Sequence, residues 1–194
     1  MNKKILLEQE FKKTGAKFFL ASMDDVHIKH LIQLAQVPNL IELMDWGGLF
    51  KIDETEKFIQ AISLYGCPYS RKSEILLLGI YLEPEELPIG YVILKGLNMD
   101  LLTAEVGIAI LDKKYRDKGY GRLALNRMII YAFNKLKIKT IGATIISSNK
   151  QSINMCKNLG FFVREIMPKS WSMANGELVD MLWLELTPVK HKRL

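Results

Sequence analysis

The chain has 194 residues, of which 49% are hydrophobic and 25% are charged, and its formal net charge is +6 at pH 7. This composition is that of a globular protein with a sizeable core, and it excludes a disordered or low-complexity chain. No run approaches the roughly 20 apolar residues of a membrane span, and the first residues contain too few apolar side chains for a secretion signal. We therefore expect a cytoplasmic protein without a membrane segment, in which Cys67 and Cys156 are free thiols.

The positive charge is concentrated in one segment of the chain. No acidic residue occurs between Asp117 and Glu165. The same interval carries nine basic residues, which are Lys118, Arg122, Arg127, Lys135, Lys137, Lys139, Lys150, Lys157 and Arg164. Such a segment indicates either a polyanionic ligand or a solvated basic face.

The chain contains no internal repeat, low-complexity tract or Pro/Gly-rich linker, so we expect a single domain over residues 1–194, with 1–16 as an extension and 187–194 as a basic tail. A strand is predicted at 17–22. A helix capped by Asp24 or Asp25 is then predicted to run to about Gln36. A second helix is predicted at 53–65, where the first residues form a capping box.

Three apolar runs follow at 74–82, 89–97 and 103–111, and their short spacers favour antiparallel hairpins. A helix is predicted at 121–136, with its polar residues, Asn126 among them, on one side. The remaining predictions are a strand at 139–147, a short helix capped by Ser148 or Asn149 and ended by Gly160, and strands at 161–167 and 178–186. The pattern predicts an α/β domain with a mostly antiparallel sheet.

The stretch "YRDKGYGR" at 115–122 is the most informative local motif. Its continuation "GYGRLA" matches the dinucleotide-binding fingerprint, but the glycines do not follow their strand directly. That fingerprint also needs an acidic residue about 20 positions after its glycines, and this chain has Lys139 and Thr140 there. A loop that enters a helix at Gly119 and Gly121 instead predicts an anion site, because backbone N–H groups there have no intrahelical acceptor.

The motif also carries a resemblance to a known family. "RDKGYG" after the strand "AEVGIAIL", followed by "N-x-x-S-I-x-x-C-x-x-L-G-F" from Asn149 to Phe161, resembles the GNAT superfamily of acetyl-CoA-dependent N-acyltransferases. The C-terminal "NGELVDMLWLEL" looks like the branch of ribosomal-protein N-terminal and small-amine acetyltransferases. The resemblance implies a mixed, mostly antiparallel twisted sheet, flanked by helices and splayed between the family's fourth and fifth strands, here "AEVGIAIL" and "KTIGATIIS".

The resemblance further implies acetyl-CoA as co-substrate and no metal. Backbone groups of Ile110 and Leu111 would hold the pantetheine arm, and Asn149 and Ser152 would contact the arm from the next helix. The pyrophosphate would lie on the glycine loop, which comprises Arg116, Asp117, Lys118, Gly119, Tyr120, Gly121 and Arg122. The acid-free segment would then face the phosphates of coenzyme A.

Acyl transfer from a thioester to an amine requires a base, an oxyanion donor and an acid for the leaving thiolate. Glu105 lies on the strand "AEVGIAIL" where many relatives have a glutamate, so we expect it to be the base or to orient the amine. The alternative is a strand carboxylate that faces solvent or pairs with a lysine.

Cys156 stands where many family members have tyrosine. It could be the acid, or a nucleophile if a helix N-terminus or Lys157 lowered its pKa, or a small buried packing residue. In the last case water or Ser152 would deliver the proton.

The function that these features predict is direct transfer of acetyl from acetyl-CoA to an amine, on a protein N-terminus or a small molecule. The alternatives are a non-catalytic coenzyme A-binding module and a nucleic-acid binder, which the lack of interleaved aromatic residues disfavours. The apolar terminal strands leave a homodimer open. His27 and His30 are expected at the surface, and Trp46, Tyr65, Tyr69 and Arg71 are weaker candidates for the acceptor pocket.

Overall fold

The computed structural model describes residues 7–10, 17–35, 75–173 and 175–192, with only the backbone at 7–10. The helix predicted at 53–65, the candidate acceptor-pocket residues at 46–71 and Cys67 lie outside these ranges. None of the described helices is long and apolar enough to cross a membrane.

The described strands form one eight-stranded sheet in the order β1-β2-β3-β4-β5-β6-β8-β7. Its strands are β1 (Leu7–Glu10), β2 (Lys17–Ala21), β3 (Leu76–Leu82), β4 (Gly90–Asn98), β5 (Thr103–Ile110), β6 (Thr140–Ile146), β7 (Phe162–Ser172) and β8 (Leu178–Leu186). The described helices are α1 (Asp25–Ala35), α2 (Tyr120–Asn134) and α3 (Lys150–Asn158). Every neighbouring pair of strands is antiparallel except β5 and β6, which are parallel. The mostly antiparallel α/β sheet expected from the sequence is therefore confirmed.

Side chains of the central strands alternate between the two faces of the sheet. One face packs against α2 and forms the larger core, in which Leu78, Val92 and Met128 are fully buried. The other face packs against α1 through Leu77, Tyr91 and Ile93 of the sheet. Residues of β4 and β5 thus belong either to the α2 face or to the α1 face.

The ends of the helices follow the capping signals in the sequence. The Asp24 carboxylate accepts from the N–H of His27, which makes Asp24 the cap of α1. The Asn149 side chain accepts from the N–H of Ser152 at 3.1 Å and caps α3. Gly160 ends α3 with a φ of 101°, a left-handed conformation in which glycine is favoured.

The sheet splits between β5 and β6. These strands pair at only three positions, from Thr103 opposite Thr140 to Glu105 opposite Gly142. Beyond that point β5 continues to follow β4 as far as Ile110, while β6 follows β8 as far as Ile146. Because each strand is held by its antiparallel neighbour, the two strands separate and a cleft opens between them. The splay implied by the resemblance is present.

The structure corrects the expectation for Asn126 and shows contacts of both terminal segments that the sequence did not indicate. The extension 1–16 contains β1, which pairs with β2. Asn126 is buried, with its Oδ1 2.8 Å from His191 Nε2, and does not lie on a polar face. The tail residues 187–192 pack on the body, where the Lys192 N–H donates to the Leu159 carbonyl.

His27 was expected at the surface, but it is half-buried. Its Nδ1 lies 3.1 Å from the Tyr81 hydroxyl and 3.2 Å from Asp24 Oδ1. Burial, and secondarily the charge of Asp24, raise the pKa of Tyr81 above its ordinary value. This cluster fixes the first turn of α1 against β3.

Candidate active site

The split between β5 and β6 contains a cavity of about 690 Å³. Its walls come from β4 and β5 on one side, from β6 and β8 on the other, and from the first turns of α2 and α3. Beyond Glu105, β5 has no strand partner on its β6 side among the described residues. Every second residue of this stretch turns its backbone groups away from β4, so these groups face the cleft and are available to an extended ligand.

The glycine loop, Arg116–Arg122, lies at the wide end of the cleft. Gly119 precedes α2 with a φ of 89°, a conformation that disfavours other residues, and no side chain caps the helix. The N–H groups of Gly121 and Arg122 have no acceptor within the helix, and the helix dipole makes this end positive. The local geometry therefore suits an anion.

Gly121 is not required by the packing of the chain itself. A Cβ atom built at this position would have its nearest neighbour, Ile110 Cγ1, at 3.6 Å, which is ordinary van der Waals contact. Its φ lies outside the left-handed range, since a positive φ is found at Gly119 but not here. A glycine that neither backbone nor packing demands is consistent with a ligand that approaches the backbone closely.

The side chain of Arg116 ties the loop to the end of β5. Its Nε donates to the Ile110 carbonyl at 3.0 Å and its terminal nitrogen donates to the Leu111 carbonyl at 2.7 Å. The Leu111 N–H donates to the Ile89 carbonyl, and the Leu111 side chain is buried on the α1 face. Arg116 thus holds the loop in position.

The loop is also linked to α3 and to the chain before β4. Asp117 Oδ1 accepts from Gln151 Nε2 at 2.5 Å, which joins the loop to the first turn of α3. The Tyr115 hydroxyl donates to the Glu85 carboxylate, which also lies 3.3 Å from Lys114 Nζ. These hydrogen bonds lower the pKa of Glu85, with the Tyr115 bond as the largest cause. The first turns of α2 and α3 are therefore held side by side at the mouth of the cleft.

The acid-free segment does not face the cleft as a whole. Of its nine basic residues only Arg122 lines the cavity. Lys135, Lys137 and Lys139 follow the other end of α2, roughly 22 Å away for a helix of this length. The expectation that the whole segment faces the phosphates is wrong, because a 15-residue helix separates its charges.

Glu105 is the last residue that pairs β5 with β6, so it lies where the split begins. Its carboxylate forms an ion pair with Lys95 Nζ at 3.3 Å, across the β4–β5 register. Both side chains line the cleft and keep about a quarter of their surface exposed, 23% for Glu105 and 29% for Lys95. The lysine pairing considered as an alternative therefore exists, and it lies inside the cleft.

Cys156 lies late in α3 and is 3% exposed. Burial raises the pKa of its thiol to about 12, which is the opposite of the lowered pKa that a nucleophilic cysteine needs. It also packs within the larger core while contributing to the cleft wall. The raised pKa therefore argues against Cys156 as a thiolate nucleophile.

The structure brings most of the predicted site residues together. Those that line the cleft are Glu105, Ile110, Arg116, Asp117, Gly119, Tyr120, Gly121, Arg122, Asn149, Ser152 and Cys156. Leu111 faces the α1 core, and Lys118 is exposed with its Nζ 5.8 Å from the centre of the Tyr115 ring. Cleft residues that the sequence did not indicate include Lys95, Thr144 and Trp171. Their positions depend on strand register, for which the sequence has no local signal.

Comparisons with known proteins agree with this architecture. The family described as acetyltransferase (GNAT) domain matches residues 17–162. No curated protein matches the sequence.

Among solved structures, a spermidine N-acetyltransferase from Vibrio cholerae in complex with CoA and spermine has a TM-score of 0.76 and 18% identity, covering 89% of this chain and 96% of that one. RimL, a ribosomal-protein alpha-N-acetyltransferase in complex with coenzyme A, has a TM-score of 0.76 and 17% identity, covering 88% and 93%. A dodecameric form of the Vibrio cholerae spermidine enzyme has a TM-score of 0.73 and 19% identity, covering 89% and 95%. These likenesses agree with the fold, and the match over residues 17–162 shows that the chain belongs to the GNAT acetyltransferases.

Proposed function

We propose that the cleft binds acetyl-CoA and that the acetyl group passes directly to an amine, on a protein N-terminus or a small molecule. Membership of the GNAT acetyltransferases makes acetyl-CoA the acyl donor. The observation that carries the proposal is the split that begins at Glu105 and widens toward the glycine loop. The split forms a path from the anion site at the glycine loop to the carboxylate of Glu105.

The anionic end of the donor fits the first turn of α2. Unpaired N–H groups, the positive helix end and the Arg122 side chain favour a pyrophosphate there. The absence of a side chain at Gly121 lets the phosphates approach the backbone. Asn149 and Ser152 line the same region from α3 and complete the predicted binding residues.

The middle of the cleft suits a thin extended arm. The five residue steps of β5 from Glu105 to Ile110 span roughly 16 Å. Val106, Ile108 and Ile110 line this part of the cleft with apolar side chains. Backbone groups turned toward the split can pair with amide groups of the arm, as a neighbouring strand would.

When bound, acetyl-CoA supplies a thioester carbon that a neutral amine can attack. Glu105 lies at the narrow end and can accept the proton that the amine must lose, directly or through water. Lys95 holds the Glu105 side chain within the cleft. We assign Glu105 as the base and Lys95 as the residue that orients it.

The leaving thiolate requires a proton. With a pKa of about 12 the Cys156 thiol stays protonated at neutral pH, but it is a weak acid toward a thiolate of ordinary basicity. We therefore assign Cys156 to packing and the proton to water or to Ser152, which lines the cleft.

The similar structures suggest which acceptors to try first. One is titled as a spermidine N-acetyltransferase and another as a ribosomal-protein alpha-N-acetyltransferase, so a polyamine and a peptide N-terminus represent the two classes. We further propose one domain over the whole chain, a cytoplasmic location and a homo-oligomer, the last because one similar enzyme is dodecameric.

An amine-panel assay that reads free coenzyme A tests the proposal. Purified protein is incubated with acetyl-CoA and spermidine, a peptide with N-terminal serine, or a diamine, and thiol release is followed. The expected result is release that depends on one of the amines and yields the acetylated amine by mass spectrometry. If acetyl-CoA binds but no amine is acetylated, the result favours a non-catalytic coenzyme A-binding module over an enzyme. Salt-dependent binding to nucleic acid without any binding of acetyl-CoA would favour the nucleic-acid alternative.

A further inference from the structure

The indole ring of Trp183 lies over a glycine of the neighbouring strand. Trp183 is on β8 and pairs with Thr144 of β6. A Cβ atom built at Gly142, two residues before Thr144, would clash with Cη2 and Cζ2 of the indole ring. The ring therefore leans diagonally across β6, and the absence of a side chain at Gly142 makes room for it.

Gly142 is at the same level of the sheet as Glu105. It pairs with Glu105 on β5 and with Glu185 on β8, so these three residues form one row across three strands. Paired residues point to the same face of a sheet. Glu105 also pairs with Lys95, two residues after Ile93, so this face is the α1 face. The distal edge of the ring thus lies beside Glu105, about one strand spacing or roughly 5 Å away.

Glu185 fixes the orientation of the ring. Trp183 Nε1 donates to Glu185 Oε1 at 3.0 Å. Both side chains are half-buried, so the hydrogen bond is partly shielded from water. It selects the rotamer in which the ring points along β8 toward the row that contains Glu105. The contact with Gly142 and the hydrogen bond to Glu185 therefore agree on where the ring lies.

The two sides of Glu105 differ in charge. On the β4 side Lys95 Nζ lies 3.3 Å from the carboxylate and would repel an ammonium group. On the β6 side the next position in the row is Gly142, with the indole ring over it. An aromatic ring attracts cations and also packs against apolar chains. An amine acceptor, which arrives largely as an ammonium group, is therefore favoured on the side of the ring.

We infer that Trp183 contacts the amine acceptor and that Glu185 is a positioning residue that holds the indole ring. The inference rests on the proposed function, because it names the acceptor side of the proposed base, Glu105. The reacting nitrogen lies within hydrogen-bond reach of Glu105, and the carbon chain attached to it lies against the ring. The acceptor is then a cationic amine with an apolar portion next to its reacting nitrogen.

Steady-state kinetics with spermidine and with a peptide carrying N-terminal serine test the role of Trp183. For whichever amine the wild type acetylates, Trp183→Ala should raise the KM for the amine about tenfold, and Trp183→Phe should raise it less, since a smaller ring keeps part of the contact. The kcat and the acetyl-CoA affinity measured by calorimetry should stay within about threefold. Leu178→Ala is the matched control, because Leu178 is on the same strand, is 54% exposed and pairs with Ser172 at the other end of β8.

Gly142→Ala tests the same contact without removing the indole ring. The added methyl group should displace the ring and raise the KM for the amine severalfold. In the double variant with Trp183→Ala there is no ring to displace, so the KM should equal that of Trp183→Ala alone. A further rise in the double variant would show that Gly142→Ala does not act through the ring, and it would contradict the inference.

The failures of the two proposals can be told apart. If the wild type releases no coenzyme A with either amine, the proposed function fails and this inference fails with it. If the wild type is active and Trp183→Ala keeps the wild-type KM, the inference alone is overturned. A Trp183→Ala variant that loses coenzyme A affinity or kcat, with an unchanged KM for the amine, overturns it as well.

Two substitutions of Glu185 separate its hydrogen bond from its charge. Glu185→Ala removes the acceptor of the Trp183 Nε1 hydrogen bond and should raise the KM for the amine severalfold with little change in kcat. Glu185→Gln keeps an oxygen acceptor without the charge, so its KM should stay within about twofold of wild type. A KM raised equally in both variants would assign Glu185 to direct recognition of the cation, and an unchanged KM in Glu185→Ala would leave the ring in place without it. Either result would contradict the positioning role.

Discussion

Gly121 occupies a position where helix stability and ligand binding favour different residues. Its surroundings have room for a Cβ, and alanine is the better helix former. We predict that Gly121→Ala stabilises the fold by about 0.5 kcal/mol but weakens coenzyme A binding by about tenfold. Gly121→Asp should weaken binding further, because its carboxylate would oppose the phosphates.

Urea denaturation and calorimetry with coenzyme A measure the two effects separately. Arg127→Ala, a change in the same helix outside the cleft, serves as the control for nonspecific effects on binding. Gly121→Ala and Gly121→Asp variants that are folded and bind coenzyme A like the wild type would exclude the glycine loop as the phosphate site.

Glu105 and Lys95 permit a test that separates the carboxylate from its ion pair. If Glu105 is the base, Glu105→Gln should lower kcat by about 10² to 10⁴, with unchanged coenzyme A affinity. Lys95→Met breaks the same ion pair but keeps the carboxylate, so its kcat should fall far less. Both variants should fold, since a partly exposed pair contributes about 1 kcal/mol or less to stability. A Glu105→Gln enzyme with wild-type turnover would remove Glu105 from the mechanism.

Cys156 provides the test of direct transfer. Its buried thiol has a raised pKa, so we predict no acetyl-enzyme after incubation with acetyl-CoA alone, as read by intact mass spectrometry. Cys156→Ala should keep a rate within a few-fold of wild type and lose about 1 kcal/mol of stability through the smaller side chain. Stoichiometric acetylation of the wild type that is absent from Cys156→Ala would establish a covalent mechanism instead.

The helix and strand boundaries show how far local sequence signals reach. The strand predicted at 178–186 is observed as β8, and α3 is capped by Asn149 and ended by Gly160 as its residues predict. These features depend on side chains close in sequence. β1 has four residues, two of them glutamates, so its own sequence does not favour a strand. It forms by pairing with the edge of β2. β7 extends beyond its predicted end because β8 continues to pair with it past the register shift between Met167 and Trp171.

The same distinction applies to the candidate site. The glycine loop could be predicted because its glycines, charges and following helix are adjacent in the chain. Lys95 and Trp171 line the cleft because of the β4–β5 and β7–β8 registers, which pair segments that are separate in the sequence. The position of β8 between β6 and β7 is likewise a property of the whole sheet.

The C-terminal residues after β8 secure α2 against the end of α3. His191 lies 2.8 Å from the buried Asn126 side chain, and a Cβ at Gly160 would meet the Lys190 carbonyl. We predict that His191→Ala lowers the free energy of unfolding by about 1 to 3 kcal/mol, because Asn126 would lose a partner in a buried site. Chemical denaturation measures the loss. His30→Ala, which changes a histidine on α1, is the control, and equal stabilities of the two variants would contradict this role.

At the scale of the whole sheet, the described strands form two segments joined at a short seam. β1 to β5 form one segment and β6, β8 and β7 form the other, and their strands pair at three positions between β5 and β6. α2 connects the segments and places its first turn at the open end of the cleft between them. This arrangement explains why a single chain can offer an extended ligand both backbone edges and a helix N-terminus.

Hydrogen–deuterium exchange with and without coenzyme A tests most directly whether the split is the binding site. Amide exchange should slow in residues 106–110 of β5 and 117–123 of the glycine loop and first turn of α2, while residues 17–21 and 76–82 of β2 and β3 stay unchanged. Protection confined to other segments, with no change at 106–110 and 117–123, would contradict the assignment of the β5–β6 split as the acetyl-CoA site.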